Sequence, residues 1–177
     1  GALRQQDDFQ STFLHGLLCH FGVQTHVGRD QALDLVHAIE AERDNLDFLI
    51  DEGLLTAREV TSLTWNKSES RVDYGCLYEN RLKLLQKAYD RFIPNEDYRI
   101  FVAENADWLE DYALFMAVKR HFGMSSWLDW PDEDIRLRRP EAVQYYRQKL
   151  DGDVRLFTYI QFLFFKQWND LRAYAHE

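Results

Sequence analysis

The chain has 177 residues, of which 46% are hydrophobic and 29% charged, a balance typical of a globular domain. Its formal net charge of −9 disfavours nucleic acid and anionic membranes as partners, because both repel an acidic surface. No apolar run approaches the roughly 18 residues of a membrane helix, and no secretory signal is recognised, so a cytoplasmic protein is expected. Eight glycines and three prolines are too few for the turns of a sandwich or barrel, which favours long helices.

Apolar side chains recur at helical spacing, and they predict an all-α fold: a single, bundle-like domain of about seven helices. Residues 1–45 contain two predicted amphipathic helices, over 3–21 and 31–43. Thr56 and Glu59 then have the spacing of a capping box, which predicts a brief helix.

The remaining helices are predicted from their stop and start residues. Asn105 is the expected N-cap of one helix, and Pro140 suits the first turn of another. Asp151 and Gly152 predict a turn before the last helix. The predicted ranges are 73 to just before Pro94, 96–103, 106–122, 141–150 and 153 to about 174.

The last predicted helix has an unusually broad apolar face. At 100° per residue, five of its side chains fall within an arc of about 80°, and these are Phe157, Ile160, Phe164, Trp168 and Leu171. Neighbouring apolar residues widen the face to about twice the usual stripe, so we expect the helix to be covered on two sides. It is either the central helix of a bundle or a helix that meets a second structural body.

One acidic cluster has the residue types of a glycosidase site. It consists of Asp129, Asp132, Glu133 and Asp134, and Trp127 and Trp130 lie beside it. A retaining glycosidase holds two carboxyl groups about 5–5.5 Å apart on rigid supports. Here the acids share a single turn, where Asp and Glu commonly stabilise the start of a helix. The structural interpretation is therefore favoured over catalysis.

Metal and nucleophile chemistry find little support in the sequence. His15 and Cys19 have a spacing of four that suits metal ligands, but no second ligand pair follows at finger-like spacing. No serine lies in a nucleophile elbow, and no Gly-rich phosphate loop is found. We therefore predict no catalytic residue, no metal and no cofactor.

Several stretches, in a fixed order, carry a family resemblance. The most specific are Trp108–Ala117 (WLEDYALFMA), Trp127–Pro131 (WLDWP) and Gln161–Trp168 (QFLFFKQW). Earlier stretches are Leu46–Ile50 (LDFLI), Glu52–Thr56 (EGLLT) and Arg71–Gly75 (RVDYG). From about Leu46 onward the chain resembles the amylomaltases, the 4-α-glucanotransferases that are also called disproportionating enzymes.

This resemblance implies that the segment is the helical insertion between the first strands of a (β/α)₈ barrel. Such an enzyme cleaves an α-1,4-glucan, forms a covalent glycosyl-enzyme and passes the sugar to another glucan. The family's nucleophile and acid/base residues lie at the C-terminal ends of later barrel strands and have no counterpart in this sequence. The 177 residues are thus expected to be catalytically incomplete by themselves.

The resemblance does not extend to residues 1–45. We expect their two helices to pack on the glucanotransferase-like segment 46–177 as one domain, in a chimeric or designed chain. They would cover the broad face of the last helix and leave Trp168 nearly inaccessible. A homodimer interface is the competing explanation, so either a monomer or a homodimer is expected.

Two tyrosines are candidates for glucan contact. Tyr74 and Tyr78 stand in and beside the Asp-Tyr-Gly stretch, near which a secondary glucan site of the family would lie, and sugar rings stack on exposed aromatic faces. Core packing is the competing interpretation of both. The alternative function, from another class, is a helical structural or interaction module with no sugar-related role.

Overall fold

A computed structural model describes the backbone of residues 46–63 and 74–176, and the side chains of 46–63 and 78–169. Every regular element in these residues is helical, which confirms the predicted all-α class. The α-helices are α1 (Asp47–Asp51), α2 (Ala57–Thr61), α3 (Tyr74–Arg91), α4 (Glu96–Glu104), α5 (Ala106–His121), α6 (Glu133–Arg136), α7 (Pro140–Lys149) and α8 (Asp151–His176). A 3₁₀ turn, Trp127–Asp129, lies between α5 and α6.

The capping box predicted at the start of α2 is confirmed. The Glu59 backbone N–H donates to the Thr56 hydroxyl oxygen at 3.3 Å, and the Thr56 N–H donates to the Glu59 carboxylate at 3.0 Å. Arg91, at the end of α3, donates to both oxygens of the same carboxylate at 2.9 and 2.8 Å. One glutamate therefore caps α2 and anchors it to α3.

Asn105 lies at the junction of α4 and α5, but it does not cap α5 through its side chain. The Asn105 amide instead donates to the Phe101 carbonyl at 2.8 Å and accepts from the Trp108 indole N–H at 3.1 Å. The side chain is buried, so both bonds satisfy an amide that water cannot reach. The predicted helix start is confirmed, while the asparagine joins the two helices.

The last helix begins two residues earlier than predicted. α7 and α8 are separated only by Leu150, whose carbonyl already accepts the Val154 N–H at 2.9 Å. Gly152 lies inside the first turn of α8, so the expected Asp151-Gly152 turn is wrong. The expected two-residue turn is not needed, because Leu150 alone forms the connection between α7 and α8. The Leu150 side chain is buried.

α8 is the central helix and contacts α3, α4, α5 and α7. Two hydrophobic clusters meet along it: Phe164 belongs to one with Leu49 and Phe101, and Phe157 to the other with Val118. Ile160 packs against both clusters. The broad apolar face is therefore largely explained by the bundle's own helices, which is the first of the two alternatives.

Several expectations fall outside the described residues. These are the two helices within residues 1–45, the His15 and Cys19 spacing, and the side chain of Tyr74. The expectation that Trp168 is nearly inaccessible is wrong for the residue as a whole, which is partly exposed, although its Nε1 atom is buried. Continuous burial along α8 ends at Phe165, and the following Lys166 is exposed.

Candidate functional site

The acidic cluster serves the local structure. Asp132 is the N-cap of α6, and its Oδ1 accepts the backbone N–H groups of Asp134 at 2.9 Å and Ile135 at 3.4 Å. Its Oδ2 accepts the Tyr146 hydroxyl at 2.9 Å. These bonds, the one from Tyr146 foremost, lower the pKa of the Asp132 carboxyl below its ordinary value. The predicted role of this cluster at the start of a helix is therefore confirmed for Asp132.

The tryptophan nearest to these acids is part of the core. Trp130 is buried, and its ring lies 5.7 Å from the rings of both Phe115 and Phe122. A sugar ring cannot stack on an indole that is enclosed in this way. The Trp-rich loop therefore carries no glycosidase-like site at Trp130.

Tyr78 differs from Trp130, because Tyr78 is exposed to solvent. It lies on α3, and 40% of the residue is exposed. Its hydroxyl lies 3.9 Å from the Sδ atom of Met124, which belongs to a part of the chain 46 residues away. Tyr74 begins α3, and its backbone lies one helical turn before Tyr78, so the two residues share a face of the helix.

The end of α5 sets the position of Met124. Gly123 and Met124 both adopt left-handed backbone conformations, with φ of 67° and 63°. The Met124 N–H donates to the Lys119 carbonyl at 2.8 Å, and the Gly123 N–H donates to the Arg120 carbonyl at 3.0 Å. This pattern is a Schellman motif, which closes the helix and satisfies its last carbonyls.

Met124 was missed by sequence reasoning. The sequence predicted that this helix ends at residue 122, but the end of a helix does not determine which distant residue the next side chain contacts. Met124 is 37% exposed, so Tyr78 and Met124 together form an accessible aromatic and thioether surface, called here the Tyr78–Met124 pair.

A second exposed tyrosine lies on α7. Tyr145 is 55% exposed, and the Lys149 ammonium group lies 5.3 Å from the centre of its ring. Sequence analysis did not select Tyr145, and it provides a matched comparison for Tyr78. Over residues 46–63 and 74–176, no group of three or more metal-ligating side chains is found. Within the same ranges, no helix has the length and apolar character to cross a membrane.

Comparison with known proteins relates this helical unit to one protein family. A profile of the 4-alpha-glucanotransferase family matches residues 27–177. The 4-alpha-glucanotransferase of Streptococcus pneumoniae serotype 4 is 37% identical over 136 residues, which cover 75% of this chain and 27% of that enzyme. The enzyme of Clostridium butyricum is 33% identical over 135 residues, which cover 75% of this chain and 28% of the enzyme.

A solved structure supports the same relationship. The amylomaltase from Streptococcus agalactiae in complex with acarbose matches with a TM-score of 0.67 at 34% identity, over 75% of this chain and 27% of that chain. The fold and the sequence matches define a helical segment that is similar to part of the 4-alpha-glucanotransferases. The chain belongs to the 4-alpha-glucanotransferase family, which confirms the resemblance.

The extent of these matches matters for function. The chain spans about a quarter of the length of the curated relatives it matches, 27% for the Streptococcus pneumoniae enzyme. The family match begins at residue 27, so it includes part of the segment 1–45 that sequence analysis set apart. The division of the chain at residue 45 remains a prediction.

Proposed function

We propose that this chain is the helical subdomain of a 4-α-glucanotransferase, which supports an active site whose catalytic carboxylates lie elsewhere in such an enzyme. The observation that carries the proposal is the family match over 27–177, combined with coverage of only about a quarter of the relatives. The roles of the acids agree with it. Asp132 caps a helix, and Asp134 lies 3.0 Å from Arg139 in an ion pair.

Catalytic incompleteness has a direct test. The purified 177-residue chain is incubated with maltotriose, and glucose and longer maltodextrins are measured against a buffer control. We expect neither product above the control, because the chain spans only about a quarter of the length of its relatives, and the family resemblance gives no counterpart of the catalytic carboxylates in this sequence. Reproducible disproportionation that copurifies with the chain would contradict the proposal.

The second part of the proposal is a weak α-1,4-glucan contact at Tyr74 and Tyr78. The exposure of Tyr78 supports it, since a pyranose ring presents a face of C–H bonds that stacks on an accessible aromatic ring. A relative from Streptococcus agalactiae, solved in complex with acarbose, shares the fold of this segment. That relationship favours a sugar ligand over other ligands for the same surface.

The contact is tested by titrating the full chain with maltoheptaose and following the tyrosine ring resonances by NMR. We expect shifts at Tyr78 at millimolar sugar, and we expect Tyr78→Ala to abolish the binding. Tyr145→Ala is the matched control, because it removes an exposed tyrosine ring from α7 and should leave the titration unchanged. Absence of any shift at Tyr74 and Tyr78 would favour the alternative, a structural module without a sugar-related role.

A further inference from the structure

We propose that Met124 is a site of reversible oxidation, at which a hydroperoxide converts the thioether to a sulfoxide and thereby strengthens its contact with Tyr78. Such a modification is independent of the proposed glucan contact. Its structural basis is the exposure of Met124, together with the distance of 3.9 Å between the Met124 sulfur and the Tyr78 hydroxyl.

The two methionines of the chain differ in their surroundings. Met124 is exposed and lies in the Schellman motif after α5. Met116 lies within α5 and is partly buried, because it packs against the hydrophobic cluster that contains Val118 and Phe157. A thioether must meet its oxidant to react, so the rate of oxidation follows exposure. Met124 is therefore expected to react before Met116.

The reaction is a two-electron oxygen transfer. A lone pair of the sulfur attacks one oxygen of hydrogen peroxide, the O–O bond breaks, and a sulfur–oxygen bond forms. The proton on the transferred oxygen passes to the departing hydroxide, which leaves as water. The sulfur is oxidised and the peroxide is reduced, so the atoms and electrons balance with the hydroperoxide as the one co-reactant. Methionine sulfoxide reductases reverse the step.

Oxidation changes what the sulfur offers to Tyr78. A thioether is a weak hydrogen-bond acceptor, whereas a sulfoxide is polar and presents an oxygen atom. The separation of 3.9 Å between sulfur and hydroxyl leaves space for this oxygen to accept the Tyr78 O–H at an ordinary distance of about 2.7 Å. Because Tyr78 lies on α3 and Met124 follows α5, the oxidised contact joins the two helices more strongly.

The fold should survive this modification. Neither of the two hydrophobic clusters formed by the described residues includes Met124. The left-handed φ of 63° at Met124 is a property of the backbone and of Cβ, which oxidation at the sulfur leaves unchanged. Oxidation of Met116 would instead bring a polar oxygen against the core, and this costs stability. The thermal midpoint therefore distinguishes a surface modification from damage to the core.

The first experiment treats the folded 177-residue chain with hydrogen peroxide and follows both methionines by mass spectrometry. Trypsin places Met116 and Met124 in separate peptides, over 100–119 and 121–136. We expect Met124 to be oxidised at least about 3-fold faster than Met116 in the folded chain, with an unchanged thermal midpoint. In the urea-unfolded chain the two rates should become equal. If Met116 reacts as fast as Met124 in the folded chain, the proposed site is wrong.

The second experiment tests the contact by NMR of the chain with labelled tyrosine. The Tyr78 resonance, assigned by its loss in Tyr78→Phe, should shift on oxidation and return after treatment with methionine sulfoxide reductase. Met124→Leu should abolish the shift, and the matched variant Met116→Leu should retain it. Oxidation of Met124 without a shift at Tyr78 would overturn the strengthened contact. Should Met124→Leu unfold, the two oxidation rates in the parent chain still decide whether Met124 is the site.

Discussion

The hydroxyl of Tyr146 donates a hydrogen bond of 2.9 Å to Oδ2 of Asp132, the carboxylate whose other oxygen caps α6. One acidic side chain thus joins the start of α6 to the middle of α7. Burial, together with this bond to a carboxylate, raises the pKa of Tyr146 to about 12. The same bond lowers the pKa of Asp132, so the two groups stabilise each other's neutral-pH forms.

Replacing Asp132 by alanine removes the cap and leaves the Tyr146 hydroxyl without this acceptor. We expect the free energy of unfolding to fall by about 1–3 kcal/mol, the loss of an N-cap plus a partly buried hydrogen bond. Urea unfolding followed by tryptophan fluorescence measures this change in the free energy of unfolding. Asp129→Ala is the control, because Asp129 is exposed and should change stability by less than about 0.5 kcal/mol. Equal effects of both substitutions would contradict this role of Asp132.

Tyr159 is the fully buried centre of an aromatic cluster, with 0% of the residue exposed. Its ring centre lies 4.7 Å from that of Phe92 and 5.5 Å from that of Tyr89. Among the residues that the structure describes, its hydroxyl has no hydrogen-bond partner. Burial accordingly raises the pKa of this phenol.

Tyr159→Phe should therefore be neutral or stabilising, by up to about 1–2 kcal/mol, since it removes a desolvated hydroxyl and keeps the ring. The thermal midpoint should stay the same or rise. Tyr98→Phe is a suitable comparison, because Tyr98 is only partly buried in the same cluster and its ring is also retained. If the free energy of unfolding of Tyr159→Phe falls by more than about 1 kcal/mol, the Tyr159 hydroxyl must make a hydrogen bond, and the prediction is wrong.

The helices could be predicted because their signals are local. Thr56 and Glu59 stand three residues apart, and Pro140 stands in the first turn of α7, so each start is determined by neighbours in the sequence. The breadth of the apolar face on α8 likewise predicted that the helix is covered on two sides, since periodicity reports how much of a helix is covered, but it did not decide between the bundle's own helices and a second structural body.

The tertiary contacts could not be predicted in the same way. The contact of Tyr78 with Met124 and the bond of Tyr146 to Asp132 join residues whose approach depends on how whole helices pack. The buried Asn105 is a similar case, because an asparagine before a helix is usually a cap, and only the packing of Trp108 gives it another partner. The resemblance identified the family from the sequence, whereas these contacts between distant residues could be found only in the structure.

Glu59 makes the stability of the α2–α3 contact depend on pH. The hydrogen bonds from the Arg91 guanidinium, together with those at Thr56, lower the pKa of the Glu59 carboxyl well below its ordinary 4.5. A lowered folded-state pKa adds stability above the unfolded pKa, and this contribution is lost as the pH falls from about 4.5 towards the folded value. In a series of urea unfolding curves, Glu59→Gln should lose part of this acid dependence. An identical pH dependence in Glu59→Gln and the parent chain would exclude this role.

Phe164 tests the packing of the central helix. It is buried, with 7% exposed, and its ring centre lies 5.8 Å from that of Phe165. Truncation to alanine should lower the free energy of unfolding by about 3–5 kcal/mol, as for other buried aromatic residues. Tyr145→Ala removes an exposed ring and should cost less than about 0.5 kcal/mol, which makes it the control. A cost below about 1 kcal/mol for Phe164→Ala would mean that the site is not packed as described.

The role predicted for residues 1–45 is tested by deletion. Phe157 and Phe164 are buried in clusters that include α1, α4 and α5, but Ile160 and Trp168 on the same helix are only partly buried. We expect the shortened chain 46–177 to dimerise or aggregate, because loss of the N-terminal segment would leave apolar surface on α8 in contact with water.

Light scattering coupled to size-exclusion chromatography measures the association, and a change in tryptophan fluorescence between the parent chain and a variant that lacks Trp168 isolates the contribution of this residue among the five tryptophans. A second deletion, of residues 1–26, keeps every residue of the family match and removes only the first predicted helix. If both helices cover α8, this shorter deletion should also associate, but at a higher protein concentration, because less apolar surface is uncovered. A soluble, monomeric 46–177 chain with unchanged tryptophan fluorescence would show that the N-terminal segment covers nothing essential on α8.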